Sequence, residues 1–220
     1  MKPIYKEYAK RFFLCAFALF ICALGTSLGV KAGSAGTNAW PTLSVGVAGK
    51  LGTSFGVANM GIGIIIIVID LLCKGKIGFG SLMNFILLSM FADLWLSILK
   101  HFPDPSSQFT GVLCSLLGQT IVCFATIGYM RPALGAGPRD TLLVVIGKKF
   151  PRYPIGLVKF CMEMLVLFAG VALGAPFGLG TVLVIALQAT IFQFACRVCR
   201  FEPRSVKNED FADTIRRLRA

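Results

Sequence analysis

Residues 131–149 read Arg-Pro-Ala-Leu-Gly-Ala-Gly-Pro-Arg-Asp-Thr-Leu-Leu-Val-Val-Ile-Gly-Lys-Lys, and residues 31–50 follow the same plan. Each segment begins with small, flexible residues, contains a proline, and ends in a short apolar run followed by lysine. Matches in and around these segments keep a constant shift of 99 residues: Gly29, Gly36, Thr42, Leu43 and Lys50 correspond to Gly128, Gly135, Thr141, Leu142 and Lys149. Further along, residues 78–81 (Gly-Phe-Gly-Ser) recur as residues 178–181 (Gly-Leu-Gly-Thr). These ordered matches predict an internal duplication.

Most of each copy is apolar enough to cross a membrane. The chain is 56% hydrophobic and only 15% charged, which excludes an ordinary soluble domain. A run of about 20 apolar residues crosses a hydrocarbon core about 30 Å thick. Six stretches meet this requirement, at about residues 12–30, 54–73, 78–99, 109–130, 155–175 and 178–198. The lipid bilayer is therefore the first partner that we expect.

The net charge of +12 is distributed unevenly among the loops. Basic residues cluster before the first span, between the second and third, after the fourth and after the sixth. The intervening loops contain only Lys31, Lys50 and Lys100. Because basic residues near span ends favour the cytoplasmic side of a membrane, we expect both termini in the cytoplasm. This alternation explains the charge by a membrane surface rather than by nucleic acid.

Each copy contains three of the six spans, and an odd number reverses the direction in which the second copy enters the membrane. We therefore predict an all-α polytopic membrane protein whose six transmembrane helices form an inverted 3+3 repeat. The first repeat occupies residues 1–100 and the second residues 101–200, followed by a basic cytoplasmic tail in residues 201–220. Inverted repeats recur in secondary transporters, where substrate sites lie near the midplane between the repeats.

Residues 41–50 and 139–149 are candidate half-helices, because proline suits the first helical position and lysine suits the last turn. Residues 141–147 are apolar on all sides, which disfavours a helix lying flat on the membrane. We predict two short re-entrant half-helices whose N-termini approach each other in the interior, where free N–H groups favour an anionic or carbonyl-bearing ligand. Ordinary surface loops are the alternative. The glycines expected at the turns before the half-helices and before the third span of each repeat are Gly36, Gly135, Gly137, Gly78, Gly80, Gly178 and Gly180.

Ionisable residues inside the spans are candidates for function, because each costs about 2.5–3.5 kcal/mol at a helix centre. Glu163 lies in the fifth span, one turn after Lys159, and the two can form an i,i+4 ion pair. The pair is either structural, or Glu163 carries a proton or pairs with Arg139. Asp93 in the third span has Gln193 as its counterpart, so it marks either a shared cavity wall or an interhelical hydrogen bond.

Arg139 and Asp140 begin the second half-helix. Aspartate complements a helix N-terminus, whereas an arginine beside the positive end of the helix dipole has no local explanation. Arg139 is therefore our first choice for a ligand contact. Asn38 and Trp40 hold the matching place in the first copy, where Asn38 can hydrogen-bond and Trp40 can stack, form a gate or anchor the chain at the interface. Asp70, at the end of the second span, is expected to be solvated.

The eight cysteines give no metal-binding pattern. Six of them lie in or beside spans, where cysteine behaves as a small apolar residue. Cys196 and Cys199 form a lone C-x-x-C without further cysteine or histidine partners nearby, which favours a structural role and leaves lipidation or a redox role as the alternatives. We expect neither a metal nor a cofactor.

The segments Gly36–Pro41, Gly135–Asp140 and Gly178–Thr181 resemble the YczE/YyaS/YitT-type family of small bacterial integral membrane proteins, over roughly residues 10–198. Members commonly read Pro-Trp followed by Asp in the first linker, where this chain has Trp40-Pro41-Thr42, and arginine is usual at the position of Lys159. The resemblance implies a multi-pass protein of the bacterial inner membrane and leaves its activity open.

From the duplication and the intramembrane charges we expect a small-molecule secondary transporter, proton-coupled through Glu163, rather than an enzyme. The alternative is a non-transporting scaffold or accessory protein that docks partners through its basic tail. A homodimer stays open, and the substrate is not readable from the residues. Transport predicts a polar cavity near the midplane reached by Arg139, Glu163, Asn38 and Asp93, whereas a scaffold predicts a dry core.

Overall fold

The computed structural model describes residues 3–135 and 137–219, and these ranges contain helices and no strand. The helices are α1 (Pro3–Lys31), α2 (Ala39–Leu51), α3 (Phe55–Leu72), α4 (Phe79–Leu99), α5 (Gln108–Met130), α6 (Pro138–Lys149), α7 (Ile155–Ala172), α8 (Leu179–Val198) and α9 (Phe211–Arg219). Short 3-10 turns cover Gly33–Ala35 and Pro203–Ser205. Residues 1–2 of the first predicted repeat, Ala136 of the second linker and Ala220 of the tail lie outside the described residues.

Six of the described helices, α1, α3, α4, α5, α7 and α8, are long and apolar enough to cross a membrane. They coincide with the predicted spans, although α1 begins at Pro3 rather than near residue 12. Their outward faces carry exposed large apolar side chains such as Leu72, Leu165 and Phe168. A continuous surface of this kind is unfavourable in water, and lipid is the medium that suits it.

α1 and α5 pack closely along each other because glycines lie at their contact. A Cβ atom built on Gly25 would lie 2.6 Å from the carbonyl oxygen of Gly118, and one built on Gly118 would lie 2.5 Å from that of Gly25. Nearer the start of α1, Ala18 contacts Gly128, which lies nearer the end of α5. The two helices therefore run antiparallel. Small residues at such contacts allow membrane helices to approach closely.

Two other long helices flank this pair, since α4 packs against α1 and α8 packs against α5, and α3 packs along α4. The short helices α2 and α6 contain 13 and 12 residues. At 1.5 Å per residue such helices are only about 18–20 Å long, so neither can cross a bilayer. Besides the long helix that follows it, α2 packs against α7, and α6 packs against α3. Each short helix thus contacts the other half of the chain.

The first turn of α8 packs against the linker that precedes α2. A Cβ atom built on Gly178 would overlap the carbonyl oxygen of Ser34, and one built on Gly180 would lie 2.7 Å from that of Ala35. Gly36, which follows this turn, has a φ of 80°, a conformation that glycine adopts without strain. The glycines of the first linker and of the first turn of α8 therefore lie where these two segments touch.

The first turn of α4 packs in the same manner against the linker that precedes α6. Gly80 N donates a hydrogen bond to Leu134 O at 2.7 Å, and a Cβ atom on Gly78 would overlap the same carbonyl oxygen. Gly135 has a φ of 129°, and a Cβ atom there would lie 2.9 Å from the Cα atom of Gly78. Each linker thus meets the last span of the other half.

The tail folds back on the end of the bundle that carries the N-terminus. Glu209 N donates to Ala133 O at 2.9 Å, and Phe211 N donates to Ile77 O at 3.3 Å. The Phe211 ring packs edge-on against Phe79, with 4.6 Å between the ring centroids. The tail therefore covers the loops that precede α4 and α6.

The carboxylate of Glu209 fastens the tail to α1. It accepts hydrogen bonds from Tyr8 Oη at 2.7 Å and Thr214 Oγ1 at 3.2 Å, and it pairs with Arg11 at 2.8 Å and Arg217 at 2.9 Å. Burial acts to raise the pKa of Glu209, but the hydrogen bonds from Tyr8 and Arg11 and the two positive charges outweigh burial and hold the pKa below its ordinary value.

Candidate functional site

A cavity of about 140 Å³ lies where the first turns of α2 and α6 meet, between α1, α4 and α5. Its lining is rich in hydroxyl, amide and charged groups, in contrast to the apolar groove between α6 and α7. The side chains that supply these groups are Thr26, Thr37, Asn38, Asn84, Gln119, Thr126, Tyr129, Arg139 and Asp140. Cys22, Trp40, Pro41, Leu88 and Val122 complete most of the wall.

Arg139 projects from the first turn of α6 and is held by an aromatic ring and a neutral amide. Its guanidinium lies 4.7 Å from the centroid of Trp40, and Nη2 donates a hydrogen bond to Asn59 Oδ1 at 2.8 Å. The amide of Asn59 is buried, accepts from Ser44 Oγ at 3.1 Å and donates to Ser89 Oγ at 2.8 Å. Among the described residues, no carboxylate lies within ion-pair distance of Arg139. The cation is oriented by stacking and an amide, and its charge is not neutralised by a salt bridge.

Asp140 is exposed, and its side chain contributes to the wall of the cavity. α6 begins after Gly137, whose carbonyl oxygen accepts hydrogen bonds from the backbone N–H groups of Asp140 and Thr141 at 3.0 Å. Within residues 3–135 and 137–219, no group donates a hydrogen bond to the Asp140 carboxylate. A Cβ atom built on Gly137 would lie 3.2 Å from Asp140 Oδ2, and Asn84 is its next nearest neighbour. A base and an acid thus face the same small space.

A chain of amides connects the cavity to Glu163. Asn38 Nδ2 donates to Gln119 Oε1 at 3.2 Å and to Gln188 Oε1 at 3.1 Å, and Gln188 Nε2 donates to Glu163 Oε2 at 2.6 Å. Asn38 Oδ1 also caps α2 by accepting from Ala39 N at 2.6 Å. Glu163 itself does not line the cavity but lies at the base of a groove between α7 and α8.

The ion pair expected from the i,i+4 spacing of Lys159 and Glu163 is present, with 3.8 Å between Lys159 Nζ and Glu163 Oε1. Glu163 is buried, whereas the Lys159 side chain is half exposed in the groove. The structure does not join Glu163 to Arg139, since each has the different partners described above. Of the sequence candidates, the cavity brings together Asn38, Trp40, Arg139 and Asp140.

Asp93 does not reach this cavity, so the cavity-wall alternative is wrong for it. Its carboxylate accepts hydrogen bonds from Gly56 N at 2.6 Å and from the Ser54 hydroxyl, and so complements the N-terminus of α3. A Cβ atom on Gly56 would lie 2.5 Å from Asp93 Oδ2, so the absence of a side chain there admits the carboxylate. Its counterpart Gln193 is exposed.

Asp70 is buried, and the expectation that it is solvated is wrong. Its relative exposure is 0%, and neither carboxylate oxygen has a hydrogen-bond partner among the described residues. α6 covers this end of α3, because Gly75 lies against the side chains of Thr141 and Val145. The expectation failed because a half-helix, rather than water, lies beside the end of the span.

Four amide-bearing residues at or beside the cavity were missed from the sequence: Asn59, Asn84, Gln119 and Gln188. A usable signal was present, since each is a polar residue inside an otherwise apolar span.

Within the described part of the chain, no cluster of three or more histidine, cysteine or acidic residues could hold a metal ion. Cys199 packs against the cluster of Cys123, Ile127 and Ala195, and its backbone carbonyl accepts a hydrogen bond from Arg131 Nη2 at 2.6 Å.

Six of the described helices are long and apolar enough to cross a membrane and carry exposed apolar side chains, and together they define a polytopic membrane protein. The chain belongs to the family described as "Family of unknown function (DUF6198)", whose profile matches residues 9–197. An uncharacterized protein of Haemophilus influenzae is 33% identical over 178 residues, which cover 81% of this chain and 79% of the relative.

Two Bacillus subtilis proteins are also similar. The uncharacterized membrane protein YczE is 29% identical over 80% of this chain and 81% of its own length. The uncharacterized protein YyaS is 25% identical over 77% of this chain and 84% of its own length. No solved structure matches the chain. The relatives agree with the resemblance found in the glycine-rich motifs.

Proposed function

We propose that this protein is a secondary transporter of small molecules in the bacterial inner membrane, and that its substrate occupies the cavity between α2 and α6. The observation that carries the proposal is the position of the cavity: it is polar, both halves of the chain line it, and two helix N-termini open onto it. The positive end of the helix dipole at such termini favours anionic or carbonyl groups of a ligand. Transporters built from inverted repeats bind substrates in sites of this kind.

The proposed architecture is an inverted 3+3 repeat with halves at residues 1–100 and 101–200. Exchanged contacts support it, since the linker of each half packs on the last span of the other half. α1 and α5 are antiparallel, as first spans of inverted halves must be. Trp40 and Arg139 are counterparts at the shift of 99 residues, and they contact each other, as residues beside a twofold axis do.

The second short helix is proposed to be re-entrant. Before α6, Leu134 contacts Gly80 at the start of α4. At the last residue of α6, Lys149 Nζ lies 3.5 Å from Cys73 Sγ at the end of α3. Both ends of the segment therefore return to the connection between α3 and α4, while its middle reaches the cavity. Such a path is stable inside a membrane when protein or a polar cavity satisfies the irregular backbone.

Unequal packing of the two halves supports alternating access. α3 packs along α4, whereas α7 and α8 separate and enclose a groove of about 600 Å³ that leads to Glu163. In an inverted repeat, the alternative state is reached when the halves exchange conformations. We propose that the groove between α7 and α8 closes in that state while α3 and α4 separate.

The proposed orientation places both termini in the cytoplasm. The tail contacts α1 beside Arg11, and the basic loops before α4 and α6 lie at this same end. At the other end Lys31 is held by the carbonyl oxygens of Leu99 and Phe102 at 2.6 and 2.9 Å. The concentration of basic residues at one end supports this orientation.

Proton coupling is proposed to occur through Glu163, which the amides of Gln188 and Asn38 connect to the cavity. The test is uptake into proteoliposomes under an imposed pH gradient, across a panel of small solutes. Glu163→Gln should abolish the pH dependence of the flux, because glutamine cannot exchange a proton. Glu7→Gln, an exposed acid on α1, is the matched control and should behave as the wild type. Unchanged pH-driven flux in Glu163→Gln would sink the proton-carrier role.

The scaffold alternative depends on a tail that is free to bind partners. It is less well supported, because Glu209 and Phe211 fasten the tail to the bundle. Truncation after residue 200 separates the two functions. A transporter should keep its flux, whereas a scaffold should lose a partner that co-purifies with the full chain.

A further inference from the structure

The central cavity contains one positive and one negative side chain on consecutive residues of α6. Arg139 stacks on Trp40 and donates one hydrogen bond to Asn59, while no described group donates to the carboxylate of Asp140. Because Trp40 and Asn59 hold the guanidinium in place through one ring contact and one hydrogen bond, its remaining N–H donors are available to a planar acceptor such as a carboxylate. The site therefore offers a donor group for an anion and an acceptor for a cation.

Charge balance distinguishes the ligands that fit. A simple carboxylate would pair with Arg139 but would bring a second negative charge beside Asp140. A simple ammonium would pair with Asp140 but would face Arg139. In a protein cavity, where charges are screened less than in bulk water, such like-charge contacts are unfavourable, and the unmatched side chain stays unpaired. A ligand with both charges satisfies both side chains and adds no net charge to the cavity.

The volume limits the ligand to a small molecule. The cavity measures about 140 Å³. An engineered protein cavity of about 150 Å³ holds one benzene molecule, so about six non-hydrogen atoms fit in a space of this size. Alanine has a carboxylate and an ammonium group within that limit. The neutral groups of Asn84, Tyr129 and Thr126 line the remaining wall and suit a polar ligand.

We infer that the ligand is a small zwitterion of the amino-acid type, whose carboxylate binds Arg139 and whose ammonium group binds Asp140. This inference deepens the proposed transport function and rests on it only for the claim that the ligand crosses the membrane. Binding to the cavity does not depend on transport.

Calorimetric titration of the purified full chain in detergent tests the inference with three probes of matched size. Alanine has both charges, propionate lacks the ammonium group, and ethylammonium lacks the carboxylate. Alanine should bind at least about tenfold more tightly than either of the others, because each of them leaves a charged side chain unmatched. Equal or tighter binding of propionate or ethylammonium would overturn the inference. So would the absence of saturable alanine binding.

Two variants assign the charges. Asp140→Asn should weaken alanine binding but not propionate binding, so the preference for alanine over propionate should disappear. Arg139→Gln should weaken alanine binding but not ethylammonium binding, so the preference for alanine over ethylammonium should disappear. A preference that survives both substitutions would overturn the assignment. Glu7→Gln should leave every affinity unchanged. If a variant fails to fold, the wild-type comparison of the three probes still decides the class of ligand.

Alanine flux into proteoliposomes separates this inference from the proposed function. Saturable alanine binding without flux supports the class of ligand and contradicts transport. Flux of a singly charged solute without alanine binding supports transport and overturns the inference.

Discussion

Replacement of Gly118 by alanine tests whether glycine determines the close packing of α1 and α5. The new Cβ atom would stand 2.5 Å from the carbonyl oxygen of Gly25 and 3.0 Å from Gly29 N. Ordinary carbon–oxygen contacts are about 3.3–3.6 Å, so the helices must separate by roughly 1 Å at this point. Both contacts are to backbone atoms of α1, which cannot rotate away as a side chain can.

The expected loss follows from two opposing effects. Overpacking of a well-packed contact costs about 1–3 kcal/mol, whereas alanine stabilises a helix by about 0.5–1 kcal/mol relative to glycine. The net loss in unfolding free energy should be about 1–2 kcal/mol. For a chain of this size, it corresponds to a fall of about 2–8 °C in the melting temperature.

Gly61 provides the matched control, because it lies in α3 and nothing stands within 4 Å of the Cβ atom that alanine would add. Thermal unfolding followed by helical circular dichroism, in one detergent, compares the two variants. Gly61→Ala should melt at or slightly above the wild-type temperature. If Gly118→Ala melts as high as Gly61→Ala, the glycine contact does not determine this packing. Gly25→Ala combined with Gly118→Ala should show a loss smaller than the sum of the two, because both disturb one crossing.

Two further substitutions test contacts at the ends of helices. Glu209→Gln should reduce stability at neutral pH by about 1–3 kcal/mol, because the positive partners of the carboxylate are left without it. The pKa of Glu209 is held below its ordinary value of 4.5, so the contribution of the charge is complete above that pH and is lost as the pH falls further. The difference in melting temperature from the wild type should therefore narrow in acid, while Glu7→Gln should show no difference at either pH. Asp93→Asn weakens the contact with Gly56 N at the start of α3, and urea titration should reveal a loss of about 0.5–2 kcal/mol; wild-type stability would mean that the carboxylate contact is dispensable.

The spans could be predicted from the sequence because length and hydropathy are local properties. The short helices could be placed for a related reason: proline at the start and lysine at the end are signals read within a few residues. α6 begins at Pro138 and ends at Lys149, within one residue of its predicted bounds. The contacts of the linkers with the other half could not be read, since they depend on how distant helices pack.

The acidic residues show where sequence reasoning ends. Asp93 and Glu163 look alike, since each is an acid inside an apolar span, yet one caps α3 and the other joins the amide chain to the cavity. What distinguishes them is the neighbouring helix, where Gly56 leaves room for Asp93. Asp70 was misjudged for the same reason, because α6 covers the end of α3. Polarity inside a span indicates that a partner is needed, but its identity depends on the tertiary fold.

In the proposed inverted repeat, the cavity is asymmetric because two different residues stand at counterpart positions at its centre. Identical residues beside a twofold axis would give a symmetric site that treats both ends of a ligand alike. Here Trp40 and Arg139 occupy the counterpart positions, and they form a stacked pair in which one side supplies a ring and the other a charge. Both charged groups of the cavity, Arg139 and Asp140, come from α6, whereas α2 contributes the neutral Asn38. The charged ends of the proposed ligand are therefore expected to face the second half, and the described groove between α7 and α8 belongs to the same half. Recognition and opening would then reside in the same half of the molecule, so ligand binding at α6 is positioned to influence how α7 and α8 close.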